Sequence, residues 1–326
     1  MKYPKFIKKG DTIGICAPSA GVGKKIDSYK ESLKVLKREG YKIKESKSVR
    51  VNNVRSTSAK KRAKEFYELT ADKNVDMIMF AAGGDYMFEI MPYVNYDQFV
   101  QNPKWLMGMS DPTNILLDVT CLLDVATLYG SNATSFSIDT PKWQKNTLEV
   151  LKGNIVKQKS YKKYITCDEW WNGITEFKNN VRWVSKKPVD IEGRIIGGCF
   201  DIMLNHMGTF MDNMANFVGR YADDGIIWYL DIFSKTPLDV YLGLLQMKYA
   251  GLFTNCKGVL IGRIAMPNVT DKKFDYKKAI DKALGNIPHI TEMDIGHTDP
   301  YMTIINGAIA HVKCKDGKGE ITFKLK

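Results

Sequence analysis

The sequence predicts an α/β protein. An N-terminal domain built on a parallel sheet with helices on its faces is followed by a C-terminal mixed α+β domain. Three observations predict this. Short apolar runs alternate with helically spaced stretches through the first half. A Gly-Gly turn joins one of those runs to a helix start. The second half ends in glycine-punctuated β-patterned segments.

The elements follow in order. Residues 11–17 (DTIGICA) read as a first strand, ended by Pro18-Ser19-Ala20-Gly21. Residues 26–39 carry Tyr29, Leu33 and Leu36 at helical spacing, and Gly40 stops the helix. Residues 41–46 are a second strand, 59–70 a helix, and 75–82 the strand that feeds Gly83-Gly84. Helix begins again at Tyr86 and runs to Met91, residues 106–109 form a strand that ends at Ser110-Asp111-Pro112, residues 114–123 are helical, and 125–129 are strand. This is a Rossmann- or flavodoxin-like pattern. The stretch 154–188 is irregular and reads as an interdomain connection, with Trp170-Trp171 as a packed hinge rather than a ligand-facing pair. After it come strand 189–198, helix 200–208, strand 225–230, helix 238–250, strand 258–262, and β-structure over 302–310 and 319–325. The expected domains are therefore 1–155 and 189–326, joined by 156–188.

Composition narrows the function classes. A chain of 326 residues has room for two cores, and 44% hydrophobic with 26% charged residues is ordinary for a soluble globular protein. No apolar run approaches the roughly 20 residues needed to span a bilayer. The basic N-terminus leads directly into a strand pattern, so no signal peptide and a cytoplasmic location are expected. Six cysteines (Cys16, Cys121, Cys167, Cys199, Cys256, Cys314) lack CxxC spacing and read as buried free thiols. With four histidines (His206, His289, His297, His311), no multi-histidine metal centre and no metal cofactor are expected. The net charge of +12 is spread along the chain without a nucleic-acid-binding motif. It suits the uptake of an anionic small substrate better than nucleic acid.

The chemistry is expected around the glycine turn. A strand, Gly83-Gly84 and a helix start place one side chain over free backbone N–H groups, the geometry that holds a serine beside an oxyanion hole. The position that would carry that serine is Met87, a thioether that cannot attack a carbonyl. Gly83, Gly84, Asp85 and the amides near Met87 and Phe88 remain candidates for binding a carbonyl oxygen or carboxylate. Ser110 and Asp111 lie at a strand's C-terminal end, where open α/β sheets place ligand contacts. A plain Asx- or Ser-type turn before Pro112 accounts for them equally well. Ser110, Ser19 and Cys199 are the alternative nucleophiles by residue type, although Cys199 sits in an apolar context.

Five ordered segments carry a family resemblance: GDTIGICAPSAG (10–21), AAGGDYM continuing to PYVNYDQF (81–99), GMSDPTNIL (108–116), GRIIGG (193–198) and DIGHTDPYMTIINGA (294–308). Together they resemble the LD-carboxypeptidase family of serine peptidases, which includes muramoyl-tetrapeptide carboxypeptidases and microcin C immunity peptidases. The resemblance implies a Ser–His–Glu triad in a cleft between two domains, with no cofactor. It places the histidine on His297, the serine on Met87, and the glutamate on Leu230 within IIWYLDI, with Asp231 as a substitute only if the strand end shifts by one residue. It also implies release of terminal D-alanine from cytoplasmic muropeptides during cell-wall recycling, or cleavage of a peptidyl-nucleotide. An anionic peptide ligand and a homodimer belong to the same expectation. The alternative expectation is a catalytically impaired relative that binds such peptides without turnover, because Met87 and Leu230 are apolar.

Overall fold

The computed structural model describes residues 1–326 as two compact units. One comprises residues 1–156 and 303–306, the other 157–302 and 307–326.

The first unit runs β1 (Thr12–Cys16), α1 (Ile26–Arg38), β2 (Lys42–Glu45), α2 (Ala59–Ala71), β3 (Met77–Phe80), α3 (Asp97–Gln101), β4 (Trp105–Gly108), α4 (Thr113–Cys121), β5 (Thr127–Tyr129) and α5 (Lys142–Leu151). The five strands are parallel in the order β2-β1-β3-β4-β5. Every residue of β3 and β4 is buried, as expected for parallel strands covered on both faces. The strand order reverses at β1. The crevice at the C-terminal ends of β1 and β3 is therefore the unit's switch point, where such sheets take up ligands.

One element differs from its sequence expectation. The helix expected to start at Tyr86 is a 3-10 helix over Met87–Tyr93, with Pro92 inside it. Pro92 has no N–H to donate and its ring crowds the preceding turn, so a regular α-helix cannot be built through it.

The second unit contains β6 (Gln158–Lys159), β7 (Lys163–Tyr164), α6 (Cys167–Trp171), β8 (Asn179–Asn180), β9 (Val189–Cys199), α7 (Phe200–His206), α8 (Met214–Arg220), β10 (Ile226–Asp231), α9 (Pro237–Tyr249), β11 (Cys256–Gly262), α10 (Tyr276–Leu284) and β12 (His289–Met293). Next, β13 (Ile304–Asn306) pairs antiparallel with β5 of the first unit. The chain ends with β14 (Ile309–Lys315) and β15 (Lys318–Lys324) in the second unit. Its sheet has the order β12-β11-β10-β9-β14-β15-β6, parallel from β12 to β9 and antiparallel beyond.

The irregular stretch after residue 156 folds within this unit. Its β6 pairs with β15, and α6 starts at a capping box between Thr166 and Glu169. Trp170 and Trp171 are 49% and 52% exposed, so the expected packed hinge is not formed. The six cysteines are free thiols, five of them buried. No helix is long and apolar enough to cross a membrane.

Where β9 runs beside β10, a Cβ on Gly197 would lie 1.9 Å from the Tyr229 carbonyl oxygen. The obstacle is backbone in a central strand pair and cannot rotate away. Gly197→Ala is expected to lower stability by about 3 kcal/mol or more, read as a shift in the urea unfolding midpoint. An unchanged midpoint would refute this reading of the strand contact.

Candidate functional site

In the first unit the candidate residues collect at the ends of β1, β3 and β4. Asp111 follows β4 and is 1% exposed. Its Oδ2 accepts the Met87 N–H at 2.8 Å and a hydrogen bond from the Ser19 hydroxyl, while its Oδ1 accepts from Asn114 Nδ2 at 2.9 Å. The loops after three strands thus converge on one carboxylate. Burial is the main influence on it and raises its pKa from 3.8 to about 6, with the Ser19 and Met87 hydrogen bonds opposing that shift. Gly84 has φ +144°, and a Cβ there would lie 2.4 Å from Ser19 Oγ, so only glycine fits beside Ser19.

A buried arginine braces the same loops. Arg62 on α2 is 1% exposed and donates to the carbonyls of Thr57, Pro18 and Tyr86 and to Glu89 Oε2, at 2.6–3.0 Å. Met87 itself is fully buried, whereas Asp85 and Phe88 beside it are exposed. The turn therefore has the expected backbone path but contributes no hydroxyl. Its Met87 amide, expected to be available to a ligand, is already committed to Asp111.

Ser110 is half-buried and holds φ +75°, a left-handed conformation costly for a residue with a Cβ. Its N–H donates to the Tyr129 hydroxyl at 3.1 Å, and its carbonyl accepts from the Thr113 N–H at 2.9 Å. Gly83 stands so close that a Cβ there would lie 3.0 Å from the Ser110 Cβ.

In the second unit His297 lies on the loop after β12. Its Nδ1 is 2.8 Å from Asp231 Oδ2 and 3.1 Å from Oδ1. Asp231 ends β10 and is fully buried, and the imidazole is 15% exposed. The Phe233 ring packs on the imidazole with centroids 4.7 Å apart, and the Cys167 thiol reaches the His297 carbonyl at 3.3 Å. Asp201 on α7 accepts the Phe233 N–H at 3.0 Å and the Ser234 N–H at 3.2 Å, which fixes the turn that carries Phe233.

Arg263, immediately after β11, is 2% exposed and ties three points of the histidine loop together. Its Nε donates to Thr298 Oγ1 at 2.9 Å, one terminal nitrogen to Asp294 Oδ1 at 2.7 Å, and the other to the Pro300 carbonyl at 3.0 Å. Asp294, also fully buried, accepts Trp183 Nε1 at 2.9 Å on its second oxygen. The planar fork of a guanidinium suits this divergent set of acceptors; a lysine ammonium would not span them.

The carboxylate beside His297 is therefore Asp231, the residue after Leu230. Successive strand residues point to opposite faces, so Leu230 and Asp231 cannot both meet the ring. An aspartate is one methylene shorter than a glutamate, and the histidine loop comes correspondingly close. A Cβ on Gly296, φ +94°, would lie 1.9 Å from Asp231 Oδ1.

The alternative nucleophiles fare unequally. Ser19 is fully buried and bonded to Asp111. Cys199 is 2% exposed, and burial, with Asp231 and Asp201 nearby, pushes its thiol well above the usual range, so it stays protonated. Ser110, half-buried, is the most accessible of the three. Sequence reasoning missed Arg62, Arg263, Phe233 and Asp201 as supports of these sites. The one available signal was an arginine directly after the apolar run that ends at Gly262.

Comparison with known proteins places the chain in a class. Residues 13–130 match the LD-carboxypeptidase N-terminal domain and residues 192–312 the LD-carboxypeptidase C-terminal domain. The protein belongs to the LD-carboxypeptidase family. Among its relatives, the microcin C7 self-immunity protein of Escherichia coli is 25% identical over 315 residues, covering 90% of this chain and 88% of the relative. A probable murein peptide carboxypeptidase of Bacillus subtilis is 22% identical over 314 residues, covering 94% and 90%. Solved structures share the fold. The microcin C7 self-immunity protein in complex with aspartyl sulfamoyl adenosine superposes with a TM-score of 0.83 at 21% identity, covering 100% of this chain and 99% of that one. Muramoyltetrapeptide carboxypeptidase from Oxalobacter formigenes gives 0.75 at 19% identity, covering 96% and 98%.

Two outcomes are expected from this geometry. Asp111 should titrate near pH 6 by carboxyl 13C NMR. Its folded pKa lies above the unfolded value, so the native state keeps a proton that the unfolded chain has lost between about pH 4 and 6. Stability should therefore fall as pH rises through that window, by at most about 3 kcal/mol, and a midpoint near 4 would contradict the assignment. For His297, Asp231 should enforce the Nδ1-protonated tautomer at neutral pH, visible in long-range 1H–15N correlations. Asp231→Ala should abolish that preference, and a tautomer unchanged by the substitution would show that the pairing is not formed.

Proposed function

We propose that this protein binds small anionic peptide-type ligands, muropeptides or peptidyl-nucleotides, without forming an acyl-enzyme at the family's serine position. One observation carries the reading: Met87, which the sequence motifs align with that position, is fully buried with its N–H on Asp111. A thioether has no proton to give up and forms no ester, so the covalent route of a serine peptidase has no starting atom here. Losing the nucleophile of such a triad typically removes several orders of magnitude in rate. A ligand of this type fits the chain's net charge of +12. Relatives of the same fold have been solved with aspartyl sulfamoyl adenosine, with glutamyl sulfamoyl guanosine and with adenosine monophosphate. A cytoplasmic site of action, where muropeptides are recycled, is part of the proposal.

A second reading, hydrolysis of an L,D amide with release of D-alanine, is favoured by the His297–Asp231 pair. An imidazole that donates from Nδ1 to a carboxylate presents Nε2 as a proton acceptor, which is the arrangement of a general base. The nucleophile would then be a water molecule.

The test uses the full-length protein, a muramoyl tetrapeptide and an aminoacyl sulfamoyl nucleoside. Calorimetry at up to millimolar ligand is expected to show binding, while mass spectrometry shows no D-alanine. Met87→Ser is expected to raise D-alanine release by a factor of ten or more. Turnover by the unmodified protein that His297→Ala abolishes would replace the proposal with the hydrolytic reading. Absence of both binding and turnover would dismiss the two together.

A further inference from the structure

Residues 182–188, which lead into β9, form one wall of a pocket in the second unit. The pocket has a volume of about 220 Å³, and the hairpin turn at 315–317, between β14 and β15, forms another wall. Both walls are fixed. Val184 exchanges two backbone hydrogen bonds with Thr291 of β12, at 2.8 and 3.0 Å, and the Trp183 N–H donates to the Gly317 carbonyl at 3.1 Å. Trp183 is 1% exposed, and its indole N–H donates to Asp294 at 2.9 Å. In the turn, Asp316 and Gly317 take φ +52° and +81°, the left-handed pair that closes a two-residue hairpin.

The charge gathered there is not neutralised. Arg182, Lys186, Lys187 and Lys315 line the pocket, against the single carboxylate of Asp316. That leaves a net +3 in ten residues of a chain whose net charge is +12. Lys186 reaches Asp281 at 3.1 Å, but that carboxylate also serves Lys277 and His289. Arg182, Lys187 and Lys315 form no ion pair. Other lysines of the same sheet do: Lys313 pairs with Asp190 and Lys324 with Glu192. Cations held together on a fixed frame repel one another, and an anion entering between them removes that repulsion.

We propose that this pocket binds a diphosphate group. Size and charge both point to it. A water molecule takes about 30 Å³ in the liquid, so the pocket holds the equivalent of roughly seven waters, enough for two linked phosphate groups. Ligands of drug size need at least about 300 Å³. A carboxylate brings one negative charge and leaves most of the excess unmet, whereas a diphosphate is multiply charged.

The donor types fit as well. The fork of Arg182 suits two oxygens of one phosphate, and the lysines supply point charges for the rest. The peptide N–H groups of Ser185, Lys186 and Lys187, in the same wall, make no hydrogen bond within the chain and add neutral donors. The group arrives either as free diphosphate or as part of a nucleotide whose remainder stays outside the pocket. The site includes neither Met87 nor His297, so it stands or falls separately from the proposed function.

Calorimetric titration of the full chain with sodium diphosphate is expected to show one site per chain, weakening as sodium chloride is raised. Lys187→Glu/Lys315→Glu, at two exposed positions, should raise the dissociation constant at least tenfold while the far-ultraviolet circular dichroism stays unchanged. Lys272→Glu/Lys273→Glu, the same change of charge at exposed positions outside the pocket, should leave it within twofold. Adenosine diphosphate, as a second probe, identifies the source. Equal affinities assign free diphosphate; a tenfold advantage that the pocket substitutions remove assigns the nucleotide. No binding of either probe at 5 mM would overturn the proposal. So would equal weakening by the two double substitutions, the mark of diffuse attraction. Binding that His297→Ala removes and the pocket substitutions spare would overturn it too, because the ligand would then sit at the histidine site.

Discussion

A buried carboxylate at the end of a central strand governs the arrangement of the second unit. Asp231 is fully buried, so it needs a hydrogen-bond donor, and the imidazole Nδ1 lies 2.8 Å away. An aspartate reaches less far than a glutamate, and the histidine loop must therefore approach the strand end closely. That approach is possible because Gly296 has no Cβ to strike the carboxylate. The loop is held there from behind by Arg263, whose three donors bind Thr298, Asp294 and Pro300. Strand, glycine, histidine and arginine thus all serve one buried carboxylate's need for a hydrogen-bond donor.

The first unit meets a similar demand differently. Asp111 is also a buried carboxylate beyond a strand end, but its hydrogen-bond partners are backbone and neutral side chains rather than an imidazole. It is satisfied by neutral donors: the Met87 N–H, the Ser19 hydroxyl and the Asn114 amide. Neutral donors compensate a buried charge less completely, which is why burial still raises its pKa. The consequence for function lies in the backbone. The glycine turn keeps its shape because Asp111 and Arg62 hold it, so its geometry persists without the serine that would make it reactive.

A scaffold can therefore be separated from the reaction it supports. The loops around Met87 need acceptors and donors for their own peptide groups, and these are supplied whether or not residue 87 carries a hydroxyl. Around His297 the support is equally independent of any nucleophile. Phe233 packs on the ring, Cys167 bonds its carbonyl, and Asp201 holds the turn that carries Phe233.

The sequence by itself determined the alternation of strands and helices, because apolar periodicity records which faces must be dry. Residues 77–80 and 105–108, buried throughout, and the spaced Tyr29, Leu33 and Leu36 of α1 show this directly. It also marked His297, since a histidine between Gly296 and Thr298 in a loop has no core to fill. Local pattern did not reveal α5 or α10, which lie among polar residues, and it made a helix of residues that Pro92 holds in a 3-10 turn. Only the tertiary structure decided between Leu230 and Asp231. Neighbouring strand residues differ by a reversal of direction, and which face meets the histidine depends on a loop some 65 residues away (66 separate Asp231 and His297). It likewise decided that Asp111 takes the Met87 N–H and that Arg263 clamps the histidine loop. Those contacts join residues far apart in the chain, and nothing in local sequence specifies which distant partner a buried polar group will find.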